Sequence, residues 1–151
     1  MCGLELGIST LSGQLPPSGS WAFYPADGQT GVPPTFYNHA ESPVPASDLL
    51  VAGHPIVMSL YNQTNTSLLA TNITLTTFTL TAGSTLVTTR VLAQTGVGGS
   101  GITTDSNIPA PGVLVLLPTS PLSANTSYTV IFAATVKGVF VSKSWSFTTG
   151  N

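Results

Sequence analysis

In the closing third of this chain, apolar side chains occupy every second position along Tyr128, Val130, Phe132, Ala134 and Val136, and again at Trp145 and Phe147, with Thr149 next in the same phase. A period of two sends successive side chains to opposite faces of an extended strand, whereas one face of a helix would need apolar residues every three or four positions. The pattern predicts long strands with one buried face each, with Lys137-Gly138 turning the first into Val139-Phe-Val141. Just upstream, Val113-Leu-Val-Leu-Leu117 is apolar without interruption, which predicts a strand that is central or buried on both faces.

The rest of the chain follows the same logic. Trp21 to Tyr24 is a short apolar strand, ended by a turn at Asp27-Gly28, where glycine supplies the positive φ that a tight turn needs. Val32-Pro33-Pro34 restarts an extended chain that lacks backbone donors, which suits a sheet edge. Prolines 43, 45 and 55 make residues 41–55 a long irregular connection, after which Ile56 to Tyr61 is a strand. From Ile73 the apolar positions run 73, 75 and then 78, 80, 82; a β-bulge at Thr76-Thr77 would return both sets to the core. Thr85 to Leu92 reads as one further strand, and Gly96 to Gly101 as a flexible loop tip. The count is seven to nine short strands with no helix, an antiparallel all-β sandwich over residues 21–151.

Residues 1–20 stand apart. Leu4, Leu6 and Ile8 alternate with Glu and Gly, Leu11 follows in the opposite phase, and Pro16-Pro17-Ser18-Gly19-Ser20 then interrupts any regular element. The segment is expected to be an extended arm and linker able to pair with its own sheet or with a neighbour's. Met1-Cys2-Gly3 has neither a basic nor an apolar leader region, so a secretion signal is expected upstream of it or already removed. Cys2, the single cysteine, leaves no intramolecular disulfide but can link two chains.

A length of 151 residues suits one domain with a true core. Only five acidic and three basic residues are present, 5% of the chain against about 25% in ordinary domains. Solubility must therefore rest on hydroxyls and amides, and the 23 threonines and 17 serines supply them. With a net charge of -2 and no basic cluster, phosphate neutralisation has nothing to act through, so nucleic acid is excluded as a partner. The apolar runs are far shorter than the ~20 residues of a membrane-spanning helix, so no membrane insertion is expected.

Tyr24-Pro-Ala-Asp-Gly-Gln-Thr-Gly-Val-Pro33, Leu117-Pro-x-x-Pro-Leu122, Asn125-Thr-Ser-Tyr-Thr-Val130 and Trp145-Ser-Phe-Thr-Thr149 together resemble the bacterial Ig-like domains of surface-layer and secreted multidomain proteins. The likeness covers residues 21–150. A narrower likeness is to the Ig-like tail that follows the CAP domain in some bacterial secreted proteins, where Glu41-Ser-Pro43 and Gly53-His-Pro55 have counterparts. The resemblance implies a seven-stranded sandwich acting as a spacer, adhesion or assembly module, with no catalytic residues to carry over. Two departures stand out: the first 20 residues have no counterpart, and the family's usual surface charges are replaced here by Thr and Ser.

The chemistry-bearing residues are sparse. His39, with Glu41 two residues on, and His54 fall short of the three or four ligands a metal needs and read as surface or loop-packing histidines. Asp105-Ser106-Asn107 offers a single carboxylate, too little charge to hold calcium tightly. No Gly-x-Ser-x-Gly motif or plausible triad is present, so neither an enzyme nor a cofactor is expected. Tyr128 and Trp145 alternate with core residues and should be buried, the tyrosine hydroxyl bonding backbone at a corner. Trp21, Tyr24, Tyr37 and Tyr61 remain as carbohydrate-stacking candidates. Asn62, Asn65, Asn72 and Asn125 head Asn-x-Ser/Thr triplets that would be glycan acceptors in a host that glycosylates. The reading is a non-enzymatic extracellular module of a prokaryotic surface or secreted protein. Its partners are copies of itself or neighbouring domains, with Leu4, Leu6, Ile8 and Leu11 as strand-donation candidates; the alternative is a glycan-binding module using the exposed aromatics.

Overall fold

The computed structural model describes residues 21–40, 46–60, 68–108 and 110–151. In chain order the first strands are β1 (Ala22–Tyr24), β2 (Gln29–Val32), β3 (Thr35–Phe36), β4 (Ala52–Gly53), β5 (Ile56–Ser59) and β6 (Ile73–Ala82). They are followed by β7 (Thr85–Leu86), β8 (Thr89–Ala93), β9 (Ile102–Thr104), β10 (Val113–Pro118), β11 (Ser127–Val136) and β12 (Val139–Thr149). Two five-stranded sheets face each other as an Ig-like sandwich, ordered β1-β5-β10-β8-β9 and β2-β12-β11-β6-β7, with β3 and β4 forming a separate two-stranded ribbon. The pairing is antiparallel except for β2 with β12 and β8 with β9. The described strands outnumber the expected seven to nine because β3, β4, β7 and β9 are only two or three residues long, too short to show a periodicity.

The alternation read from the sequence is the alternation of burial. Along β11, Tyr128, Val130, Phe132 and Ala134 are buried between exposed or half-buried neighbours, and Trp145 and Phe147 oppose Val130 and Tyr128 on β12. In β6 the ladder with β11 slips between Ala133 and Ala134, opposite Thr77 and Leu75, so Thr76 is the extra residue of a bulge. Ile73, Leu75, Phe78 and Leu80 are consequently all buried despite the change of phase. Phe132 sits at the centre, with the edges of Trp21 and Phe78 packed at ring-centroid distances of 6.1 and 5.3 Å.

Polar ties close the sandwich where the chain passes from β1 in one sheet to β2 in the other. Trp145 Nε1 donates to Pro25 O at 2.9 Å, Gly28 N donates to Ser146 O, and Ser146 N donates to Asp27 Oδ1. Gly28 has φ +77°, as the Asp27-Gly28 turn requires. Further along β12 Tyr128 Oη accepts from Ser123 N at 2.8 Å, the expected corner, and the buried Thr149 hydroxyl donates to Ser123 O.

Two sequence expectations are corrected. Thr85 to Leu92 is not one strand: β7 lies on one sheet and β8 on the other. Val87 N donates to Leu80 O, and Thr88 O accepts from Thr119 N, so the crossing residues hydrogen-bond to strands of both sheets. No glycine or proline marks this crossing, which is why the sequence conceals it. Nor is Gly96–Gly101 an open loop tip. Gly98 N donates to Ile73 O and Gly98 O accepts from Leu75 N, so this loop pairs with β6 where β7 has already ended. A Cβ at Gly99 would stand 2.6 Å from Leu75 O, so glycine permits the approach.

Phe132→Ala is expected to lower unfolding free energy by about 3–5 kcal/mol, because it empties the point where three rings meet. Urea unfolding followed by tryptophan fluorescence measures this.

Candidate functional site

The sheet containing β5 and β10 is buried on both faces. Ile56, Met58, Leu114 and Leu116 point into the sandwich core, whereas Val57, Leu92, Val113, Val115 and Leu117 form a second cluster with Ala52 and Ile108 on the outer side. Phe36, Ala46, Leu49 and Ala110 pack on this second cluster. The connection between β3 and β4 and the loop before β10 thus form a lid over the sheet. Asn38, fully buried, holds one part of the lid by donating through Nδ2 to Ala46 O at 2.6 Å and Leu49 O at 2.8 Å. Gln94 Nε2 holds the other through Ile108 O at 2.8 Å.

At the rim of this lid lies an open cavity of about 250 Å³ lined by Ala46, Ser47, Asp48, Arg90, Leu92, Thr103, Thr104 and Asp105. Three of the chain's eight charged residues meet here. Arg90 donates to Asp48 Oδ1 and Oδ2 through its two terminal nitrogens, Nη1 and Nη2, at 2.7 and 2.8 Å. These hydrogen bonds hold the Asp48 carboxyl down at about 2 and raise Arg90 above its ordinary value. A lowered carboxyl pKa means that the pair is fully formed above the ordinary aspartate range and is lost only as pH falls through about 2. Asp105 Oδ1 accepts from Asn107 N and Nδ2, at 2.9 and 3.0 Å, which fixes the adjoining turn.

Carboxylates, a guanidinium and threonine hydroxyls around an apolar floor at Leu92 can hydrogen-bond hydroxyl groups. The lining has no histidine or cysteine to act as base or nucleophile. The volume falls below the ~300–1,000 Å³ usual for small-molecule sites, so the cup accommodates a small polar group rather than enclosing a large ligand. Sequence reading singled out Asp105 here but missed Asp48, Arg90, Thr103 and Thr104. The one available signal was the rarity of charge, and Asp48 and Arg90 are 42 positions apart.

The aromatic candidates are dispersed. Trp21 packs inward against Phe132, and Phe23 likewise lies 4.7 Å from the Trp145 ring. By strand alternation Tyr24 then faces the opposite side, where its ring lies 5.4 Å from that of His54. Trp21 and Tyr24 therefore share no surface, and Tyr37, 60% exposed, follows β3 elsewhere. Tyr61 and the strand-donation candidates Leu4, Leu6, Ile8 and Leu11 lie outside the described residues, as do Glu41, Asn62 and Asn65. His39 contributes backbone to a 3-10 turn, Asn38–Ala40. Among the described residues no group of three or more His, Cys, Asp or Glu is arranged to hold a metal. Asn72 Oδ1 accepts from Leu69 N, and Asn125, exposed at φ +50°, donates to Asn151 Oδ1. No helix among the described residues is long and apolar enough to cross a membrane.

Compared with known proteins, the chain matches no family model, and no curated protein is significantly similar to it.

Burial against Tyr24 pushes the His54 imidazole down to about 4. The folded state thus resists protonation that the unfolded chain accepts near 6.5. The sign follows: this stability is fully present above pH 6.5, declines as pH falls towards 4, and is flat below. The span amounts to roughly 3 kcal/mol at most. Urea midpoints between pH 7 and pH 4 should fall for the native chain and fall much less for His54→Gln.

Proposed function

We propose that this chain is a non-enzymatic structural or adhesion module of a prokaryotic surface or secreted protein, related to bacterial Ig-like domains. It works outside the cell, and residues 1–20 join it to further copies or to neighbouring domains. The observation that supports this reading best is the outer face of the β6-β11-β12 sheet. Register places Thr81, Thr129 and Ser146 in one row, Thr79, Ile131 and Ser144 in the next, and Thr77, Ala133 and Ser142 in a third. Seven of these nine positions carry a hydroxyl and none carries a charge, Ile131 and Ala133 being the apolar exceptions. Such a surface stays soluble yet offers no electrostatic repulsion to close neighbours, a property suited to a packed assembly.

The function then resides in mechanical continuity and in contacts between modules. Both buried clusters are formed by residues between Trp21 and Phe147, so a chain starting at Ser20 retains its core. Size-exclusion chromatography with light scattering should find the full chain associated and the chain from Ser20 monomeric. Monomers in both cases would contradict the assembly reading.

A second reading, a glycan-binding module, draws on the Asp48–Arg90–Asp105 cup with its threonine hydroxyls rather than on the aromatics. Its signature would be glycan-array binding that is lost in Asp105→Ala and Thr104→Val and retained in Tyr37→Ala; binding unaffected by the first two substitutions would exclude the cup.

A further inference from the structure

The sheet edges of this domain are unequally protected. Natural edges are blunted by shortness, proline, bulges or charge, because unpaired N–H and C=O groups template the addition of another strand. Here β1 has three residues and runs into Pro25, β9 has three residues, β7 has two, and β2 has four and runs into Pro33-Pro34. The exception is β12. It has eleven residues, and β2 pairs with it only at Phe147 and Thr149. Among the described residues, no strand pairs with its outer edge from Val139 to Trp145.

The atoms on that edge follow from parity. Ser146 directs both its N–H and its C=O away from β11, to Asp27 Oδ1 and Gly28 N. The ladder between β11 and β12 runs from Ser127/Thr148 to Val136/Val139 without a slip, so Phe140, Ser142 and Ser144 direct their N–H and C=O groups the same way. All three residues are exposed, Phe140 by 63%. The single charge on this stretch does not guard it: Lys143 Nζ lies 4.8 Å over the Phe23 ring, on the inner side of the strand. Behind the edge, Trp21, Phe23 and Val141 are only partly buried against the core, which leaves an apolar seam between β1 and β12.

We propose that the outer edge of β12, at Phe140, Ser142 and Ser144, accepts the Leu4–Ile8 segment of a second copy as an added strand. This rests on the assembly reading above and assigns it an acceptor. The donor sequence Gly3-Leu4-Glu5-Leu6-Gly7-Ile8 fits the site on both faces. Leu4, Leu6 and Ile8 would meet Trp21, Phe23 and Val141, while Gly3, Glu5 and Gly7 would continue the polar outer face. The occupant is assigned to a second copy, as the assembly reading requires, because Pro16-Pro17 in the linker between the donor and β1 favours an extended spacer over a tight return to the same sheet.

Proline scanning tests this, because Ser142 and Ser144 lend no N–H to the β11 ladder, so a proline there removes the edge donor without breaking a ladder bond. In the full chain, Ser142→Pro and Ser144→Pro should each weaken association about tenfold or more while circular dichroism stays that of the native sandwich. Amide hydrogen exchange on the unsubstituted chain provides a second readout independent of variant folding. The Phe140, Ser142 and Ser144 amides should exchange slowly in the assembled chain and fast in the chain from Ser20. Association and exchange unaffected at β12, with arm deletion still giving monomers, would overturn this acceptor and leave the assembly reading standing. Slow exchange of those amides in a full-length monomer would place the arm on its own domain and overturn it too. Association that survives arm deletion would defeat the assembly reading itself.

Discussion

The structure depends on one sheet being buried twice. Every residue of β5 and β10 is buried, so the sheet containing them cannot end the molecule on its outer side as the sheet of β6, β11 and β12 does. Uninterrupted apolar sequence at Val113 to Leu117 fixes this requirement, since side chains on both faces of that strand must leave water. Each fully buried Val, Leu or Ile contributes roughly 1.5–3 kcal/mol. The face that the sandwich does not cover therefore has to be covered by something else.

The long connection after β3 is what covers it. The carbonyls of Ala46 and Leu49 find a buried partner in the Asn38 amide instead of a strand. Gly53 belongs to the same arrangement: a Cβ there would come within 2.6 Å of Pro118 Cβ, so only glycine lets β4 lie so close to the end of β10. The polar cup is a by-product of this covering, since Asp48 enters with the lid and meets Arg90 at the edge of the covered sheet. Among the described residues nothing covers the outer face of the other sheet, which is mostly threonine and serine hydroxyls.

Much of this was legible in the residues. Alternation along β11 and β12, the phase slip in β6, the central position of β10, the Asp27-Gly28 turn and the Tyr128 corner all follow from local rules that act within a few residues. What escaped was set by distant partners. The crossing from β7 to β8 carries no breaker residue; its direction is fixed by hydrogen bonds to Leu80 and Thr119. Gly98 and Gly99 look the same in sequence whether they face solvent or approach β6. The cup joins residues from three segments, and the dispersal of Trp21 and Tyr24 to opposite faces appears only once the strand has a core to face.

The central claim, that β10 is enclosed from both sides, is tested most directly by native-state amide exchange as a function of urea. If the enclosure is real, the Leu114 and Leu116 amides exchange only through global unfolding, with the full denaturant dependence of the whole domain. Exchange of those amides through a local opening with little urea dependence, while the β11 amides remain protected, would show that the lid is not part of the folded core and would contradict the account.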